Sequence, residues 1–230
     1  MRVLRRRCGR GGVIAALAAA VAIAVWLHPS LDFGYRGDTV AIAAPVASDD
    51  LASLLNQVRV VDRIDDVPGY ERSCAKGKGC VFGPAWSDPL DVSGCDTRDR
   101  LVAKALQAVV FKPGTRKCKV IEGRLDPDPY SGKVIDLKQV SVDHIIPLKV
   151  AWDAGAWQWD LQQRRIFAND MTELIAVSGS ANMAKGQSPL SDWLPETGQC
   201  LYALRYLTVA VKYNLPVTVK DRDAANAACI

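Results

Sequence analysis

The sequence predicts an α+β domain. Three observations predict it: short β-prone runs lie among segments of helical period, cap residues stand at the heads of several of those segments, and no internal repeat is present. The 230 residues suit one domain of ordinary size plus an appendage. A hydrophobic content of 49% can fill a core, and a mean hydropathy of +0.03 argues against a polytopic membrane protein.

The appendage comes first. Arg2, Arg5, Arg6, Arg7 and Arg10 precede an uncharged run from Val13 to Leu27. This is the pattern of an export signal, its apolar run shorter than the ~18 residues of a confident membrane span. Ala41-Ile42-Ala43 offers a cleavage site, but it lies far past the run, so an uncleaved anchor is the alternative. Residues 1–28 are therefore read as signal peptide or signal anchor, 29–61 as a linker or tether, and 62–230 as the exported domain. The arginines stay cytoplasmic and the domain becomes extracytoplasmic, secreted or anchored by the N-terminal segment.

Removing that segment changes the charge argument. The whole chain carries 29 basic and 25 acidic residues. Without the five leading arginines it holds 24 basic against 25 acidic, or −1. Global charge thus gives no sign of nucleic-acid binding, and such a sign must be local.

Cysteine usage agrees with export. Cys8 belongs to the arginine-rich segment, leaving Cys74, Cys80, Cys95, Cys118, Cys200 and Cys229. An even number in an exported domain suggests disulfides, and no C-x-x-C pair suggests a structural zinc. Many pairings are open in principle; local pairing is preferred, as Cys74–Cys80, Cys95–Cys118 and Cys200–Cys229.

The remaining elements follow in order. Leu51 to Val61 could form a short helix, and 62–93 is turn-rich. Thr97 is a plausible cap for a helix from Arg98 to about Gln107. Two β segments are expected near 119–125 and 133–137, with turn residues between them. Val140–Ile146 is β-prone. Asp160 with Gln163 resembles a capping box for a helix ending near Asn169. Thr172–Val177 reads as an apolar strand, then Ser178-Gly179-Ser180 turns into a short helix bearing Asn182 and Lys185. Cys200–Tyr213 is amphipathic, and a last helix starts near Lys220.

Only two histidines exist, and His28 closes the export segment. That excludes His-rich zinc sites and H-E-x-x-H proteases. His144 remains as general base, single metal ligand or structural residue. Its neighbour Asp143 suits phosphodiester hydrolysis, a carboxylate holding a hard cation while neutral imidazole takes a proton from water. Adjacent strand side chains point to opposite faces, so the strand has to end or bend there, which Pro147 permits. A serine hydrolase using Ser178 or Ser180 is the competing enzyme, without a G-x-S-x-G elbow.

Asp143-His144-Ile-Ile-Pro147 followed by Asn182-x-x-Lys185 resembles the HNH motif of ββα-metal (His-Me finger) endonucleases. More specifically, the chain resembles an exported branch related to the C-terminal nuclease domain of GmrSD-type restriction enzymes. The matches run in order through Phe82-Gly-Pro-Ala-Trp86, Cys95-Asp-Thr-Arg98, Phe111-Lys-Pro-Gly114, Pro129-Tyr-Ser-Gly132, Ala151-Trp152, Phe167-Ala-Asn-Asp170 and Trp193-Leu-Pro195. The resemblance implies a ββα-metal core over about 134–186, with additional helices and disulfides. It implies Asp143 and Asn182 as metal ligands, His144 as base, and Arg98 and Lys185 as substrate contacts. It also implies a divalent metal, Mg²⁺ foremost with Mn²⁺ or Zn²⁺ as alternatives, and a nucleic-acid substrate, DNA ahead of RNA. No protein partner is implied. The branch carries Asn where Glu173 stands; Glu173 can replace it as an acceptor or extra ligand, or mark lost activity. A non-catalytic nucleic-acid-binding domain with a degenerate HNH fold is the alternative function.

Two surface features are weighed beside the motif. Residues 98–119 carry Arg98, Arg100, Lys104, Lys112, Arg116, Lys117 and Lys119 against Asp99 alone, either a phosphate-tracking surface or a solvated face. Trp152, Trp157 and Trp159 could stack bases, but at this spacing they more often serve a core.

Overall fold

A computed structural model gives the fold, and it describes residues 44–230. The expected export segment, its cleavage site and the first part of the expected tether lie outside the described residues. In chain order the structure runs α1 (Ala44–Gln57), β1 (Val60–Val61), α2 (Thr97–Ala105), β2 (Gln107–Phe111), β3 (Val120–Leu125), β4 (Ile135–Asp136), β5 (Val140–His144), α3 (Leu148–Asp153), α4 (Leu161–Asn169), β6 (Leu174–Ser178), α5 (Gly179–Lys185), α6 (Gln199–Lys212), β7 (Val217–Thr218) and α7 (Val219–Ala228). It is a mixed α+β fold with small sheets and three disulfides.

β5 and β6 form an antiparallel pair in strict register, from Val140 opposite Ser178 to His144 opposite Leu174. β6 is buried along its whole length, which explains its near-continuous apolar sequence, whereas β5 carries Ser141, Asp143 and His144 within the same covered pair. They form a wall between two cores. Val140, Val142, Leu174 and Ala176 join Leu101, Val102, Leu125 and Ile135 on the side of α2 and the β2–β3–β4 sheet. Ile175 and Val177 join the larger cluster with Phe167, Tyr202, Leu207 and Leu190. A full side chain such as Leu174 contributes roughly 2 kcal/mol by leaving water.

Local chemistry sets most boundaries. Asp160 caps α4 by accepting from Gln163 N at 2.7 Å, and Ser178 caps α5 by accepting from Ala181 N. The cap of α2 is Asp96, which accepts from Asp99 N, so Thr97 is the first helical residue rather than the cap. Thr97 is freed for a buried role described below. β2 occupies residues read as helix end and loop, with Ala108 at positive φ and register shifts on either side of Val110.

The three disulfides are those of the local pairing. The two longer loops each contribute ~2–4 kcal/mol by restricting the unfolded chain. Residues 51–61 are not free tether: Leu51 and Val58 are buried in the larger core, and β1 pairs in parallel with β7, Val60 opposite Val217. Among the described residues no helix is long and apolar enough to cross a membrane.

Candidate active site

The alternation of β5 divides the motif between two faces. Ser141 and Asp143 point to the α5 side, while Val142 and His144 point to the α2 side. On the α5 side, Lys185 Nζ donates to Asp143 Oδ2 at 2.7 Å and to the His144 carbonyl oxygen. Tyr130 donates its hydroxyl to the same Oδ2 at 2.7 Å. Tyr130 is placed by Asp128, whose carboxylate accepts from Tyr130 N, Ser131 N and Ser178 N and so ties the 126–132 turn to the end of β6. Burial keeps the Tyr130 hydroxyl protonated well beyond the ordinary phenol range, so it stays a donor.

Lys185 was expected to touch substrate, and the structure corrects that: it is 1% exposed, sealed beneath Asp143. Burial lowers its pKa, and Asp143 opposes the shift. Asn182 turns its amide nitrogen onto Ser141 Oγ at 2.9 Å and the Val142 carbonyl at 3.4 Å. Its Oδ1, like Asp143 Oδ1, has no hydrogen-bond partner among the described residues. Asp143 on β5 and Asn182 on α5 thus offer hard oxygen donors, the chemistry that Mg²⁺ or Mn²⁺ takes. They fit Zn²⁺ poorly, since the cysteines of the domain are oxidised. Among the described residues no group of three or more His, Cys, Asp or Glu could hold an ion.

Glu173 lies fully buried where β6 begins, and its carboxylate accepts from Ile146 N at 3.1 and 3.2 Å. It therefore fixes the chain just after His144, the acceptor role open to it in the sequence. Burial raises its pKa well above the carboxylate range.

His144 is 7% exposed. Its Nε2 lies 3.0 Å from the Ala168 carbonyl oxygen. A carbonyl only accepts, so Nε2 carries the proton and Nδ1 is left as the ring's acceptor. Trp86 stacks on the imidazole at 5.9 Å and 11°. Burial first, then the charge of Arg72, lowers the His144 pKa to about 3, so the ring is neutral at physiological pH. A cavity of about 120 Å³ opens onto it, lined by Arg72, Trp86, Leu148 and Asn169 among others, with no contribution from Asp143 or Asn182. The cavity is framed by Thr97, which donates to Asn169 Oδ1 at 2.6 Å and lies 3.2 Å from the Trp86 carbonyl.

Arg72, Trp86, Tyr130 and Asn169 were not singled out as site residues. Trp86, Tyr130 and Asn169 lie in the short matched motifs, which was the available signal; Arg72 has none. Arg98 is half-buried in the first turn of α2 with no ion pair among the described residues. The basic run is partly neutralised, Arg100 by Asp88 and Asp91 and Lys119 by Asp99. Trp152 is core, whereas Trp157 is 45% exposed. Ser178 spends its hydroxyl on the α5 cap and on Ser180, and neither serine bonds His144.

The two buried acids and bases give opposite pH limbs. His144 has its folded pKa below the unfolded 6.5, so its contribution is present above 6.5 and is lost as pH falls toward 3. Glu173 has its folded pKa above 4.5, so its contribution is present below 4.5 and is lost as pH rises through the raised value. Above 4.5 the Glu173 slope opposes that of His144. Chemical denaturation against pH should show an acid limb of up to ~1.4 kcal/mol per unit that His144→Asn flattens, and a neutral-side limb that Glu173→Gln flattens. An acid limb unchanged in His144→Asn would contradict this placement.

Residues 96–224 match the family described as GmrSD restriction endonucleases, C-terminal domain. The chain belongs to this family. An uncharacterized secreted protein of Arthroderma benhamiae is 37% identical over 152 residues, covering 61% of this chain and 69% of that one. No solved structure matches the chain. The family match takes in β5, β6 and α5 with Asp143, His144, Glu173, Asn182 and Lys185; Arg72 and Trp86 lie before it.

Proposed function

We propose that the protein is an extracellular, metal-dependent endonuclease in which His144 is the general base and β5, β6 and α5 act as a ββα-metal element. The observation that carries the reading is the His144 ring, held neutral with Nε2 given to Ala168 O and Nδ1 left to accept a proton. Water's oxygen forms the new bond to phosphorus, its proton passes to Nδ1, and the P–O ester bond to the leaving sugar oxygen breaks. That oxygen then takes a proton from solvent. Nδ1 is the ring nitrogen nearer the backbone, and His144 is the last residue of β5. Asp143 and Asn182 would hold a divalent ion through their free oxygens on the α5 side. When bound, the ion supplies charge stabilisation for the phosphate and the leaving oxygen.

Membership of the GmrSD C-terminal family supports the nuclease class and DNA as the first substrate to try. Three disulfides and a secreted relative support an extracellular site of action. Plasmid digestion with added Mg²⁺ or Mn²⁺, and its abolition by EDTA, is the direct test. A purified domain with its disulfides intact that cuts neither DNA nor RNA under any divalent ion would refute the enzyme and leave a binding domain. Arg98 is placed in this reading as a phosphate contact on α2. Arg98→Ala should weaken nucleic-acid binding and reduce the slope of log K against log salt by about 1; an unchanged slope would remove it from the interface.

A further inference from the structure

Arg72 and His144 line the same cavity. The guanidinium of Arg72 makes no hydrogen bond or ion pair among the described residues. The nearest acid in sequence, Glu71, is engaged elsewhere: it accepts from Ser73 N at 3.1 Å and sits 3.5 Å from Lys78 Nζ. Arg72 is nevertheless well mounted. Val81 N donates to Glu71 O at 3.1 Å and Cys80 N to Ser73 O at 3.0 Å, one bond on each side of Arg72. The Cys74–Cys80 disulfide closes the loop beyond them, and Arg164 Nε anchors its foot through Val81 O at 2.6 Å. An exposed arginine with a free fork, on a braced backbone and lining one cavity with the buried His144 ring, suits a planar bidentate anion contact.

Resting on the reading above, we propose that Arg72 binds the scissile phosphodiester itself and sets it over His144. Arg98 and the basic β2–β3 turn would instead meet phosphates further along the strand. A phosphate in this place is held on the His144 side of β5 by the arginine fork and meets the free oxygens of Asp143 and Asn182 only at the strand's end.

A small diester separates the two kinds of contact. Bis(4-nitrophenyl) phosphate has one phosphate and no flanking strand. Arg72→Ala should lower kcat/KM by ~10²-fold on both this compound and plasmid DNA. Arg72→Lys, which keeps the charge without the fork, should fall between. Arg98→Ala should affect DNA alone. Arg72 is exposed, so its variants should keep the wild-type melting temperature and all three disulfides. Wild-type kcat/KM on the small diester in Arg72→Ala would overturn the proposal while leaving the nuclease reading intact. If the wild type cuts neither substrate, the nuclease reading fails first. Titration with inorganic phosphate, followed by tryptophan fluorescence beside Trp86, then decides for Arg72: binding lost in Arg72→Ala supports the site, and equal or absent binding in both proteins overturns it.

Discussion

His144→Ala should lower phosphodiester cleavage by ~10²–10⁴-fold, the range for a lost general base. The sequence offers no second histidine in the domain to take over. The substitution removes a stacked ring and leaves the Ala168 carbonyl without its donor, a loss on the order of 1 kcal/mol for the hydrogen bond. The wall of β5 and β6 keeps its full backbone register, so fold and disulfides should persist. Asp143 and Asn182 also keep their places, because α5 holds them from the opposite face. Initial rates on supercoiled plasmid at saturating Mg²⁺, with circular dichroism on the same sample, make the measurement. Wild-type cleavage by the purified variant would end the mechanism whatever the fold does.

Lys185→Ala should be the most destabilising single change near the site, by ~3–5 kcal/mol. It would strip the ammonium from a carboxylate that is 6% exposed and leave the His144 carbonyl without its donor. Against a total stability of about 5–15 kcal/mol this is a large share. The loss belongs to the unpaired charge rather than to the ion pair itself. Lys185→Met combined with Asp143→Asn should therefore recover much of it, since the amide oxygen still accepts from Tyr130. Urea midpoints of the two single variants and the double variant, at unchanged slope, measure the coupling. A single variant within 1 kcal/mol of wild type would show that Lys185 is not enclosed as described. Asp143→Asn keeps an oxygen acceptor for Lys185 Nζ and the Tyr130 hydroxyl, so it is a gentler probe of metal binding than Asp143→Ala, which removes both contacts.

What was legible in the sequence was local. The helices around Asp160 and Ser178 announce themselves by cap residues three positions from the amide they satisfy. The disulfides join neighbouring cysteines. β6 shows as an apolar run because both of its faces are covered, and β5 shows as a β-prone stretch interrupted by Asp143 and His144. What was hidden depends on partners distant along the chain. Lys185 on a short helix reads as a solvent-facing cation until β5 brings Asp143 under it. Trp86 and Arg72 reach His144 only because α2 and the Cys74–Cys80 loop pack where they do. β2 was obscured by its own irregularity, since a positive-φ residue breaks the period that would mark a strand. Glu173 is the intermediate case: an acceptor role is one of the readings the motif leaves open, but its target, the second amide after His144, needs the fold.

The order of the disulfides carries a consequence for how the molecule is made. Among the described residues each bridge joins one cysteine to the very next: first with second, third with fourth, fifth with sixth. A chain that emerges N-terminus first into an oxidising compartment presents its thiols in that order. An oxidant that couples each new thiol to the one still waiting would produce the native set directly, with no thiol–disulfide exchange to correct. The parallel pairing of β1 with β7 has the opposite character, because it joins the two ends of the domain. That pairing awaits Val217 and Thr218, which follow the first two bridges in chain order and precede Cys229, the last thiol of the third.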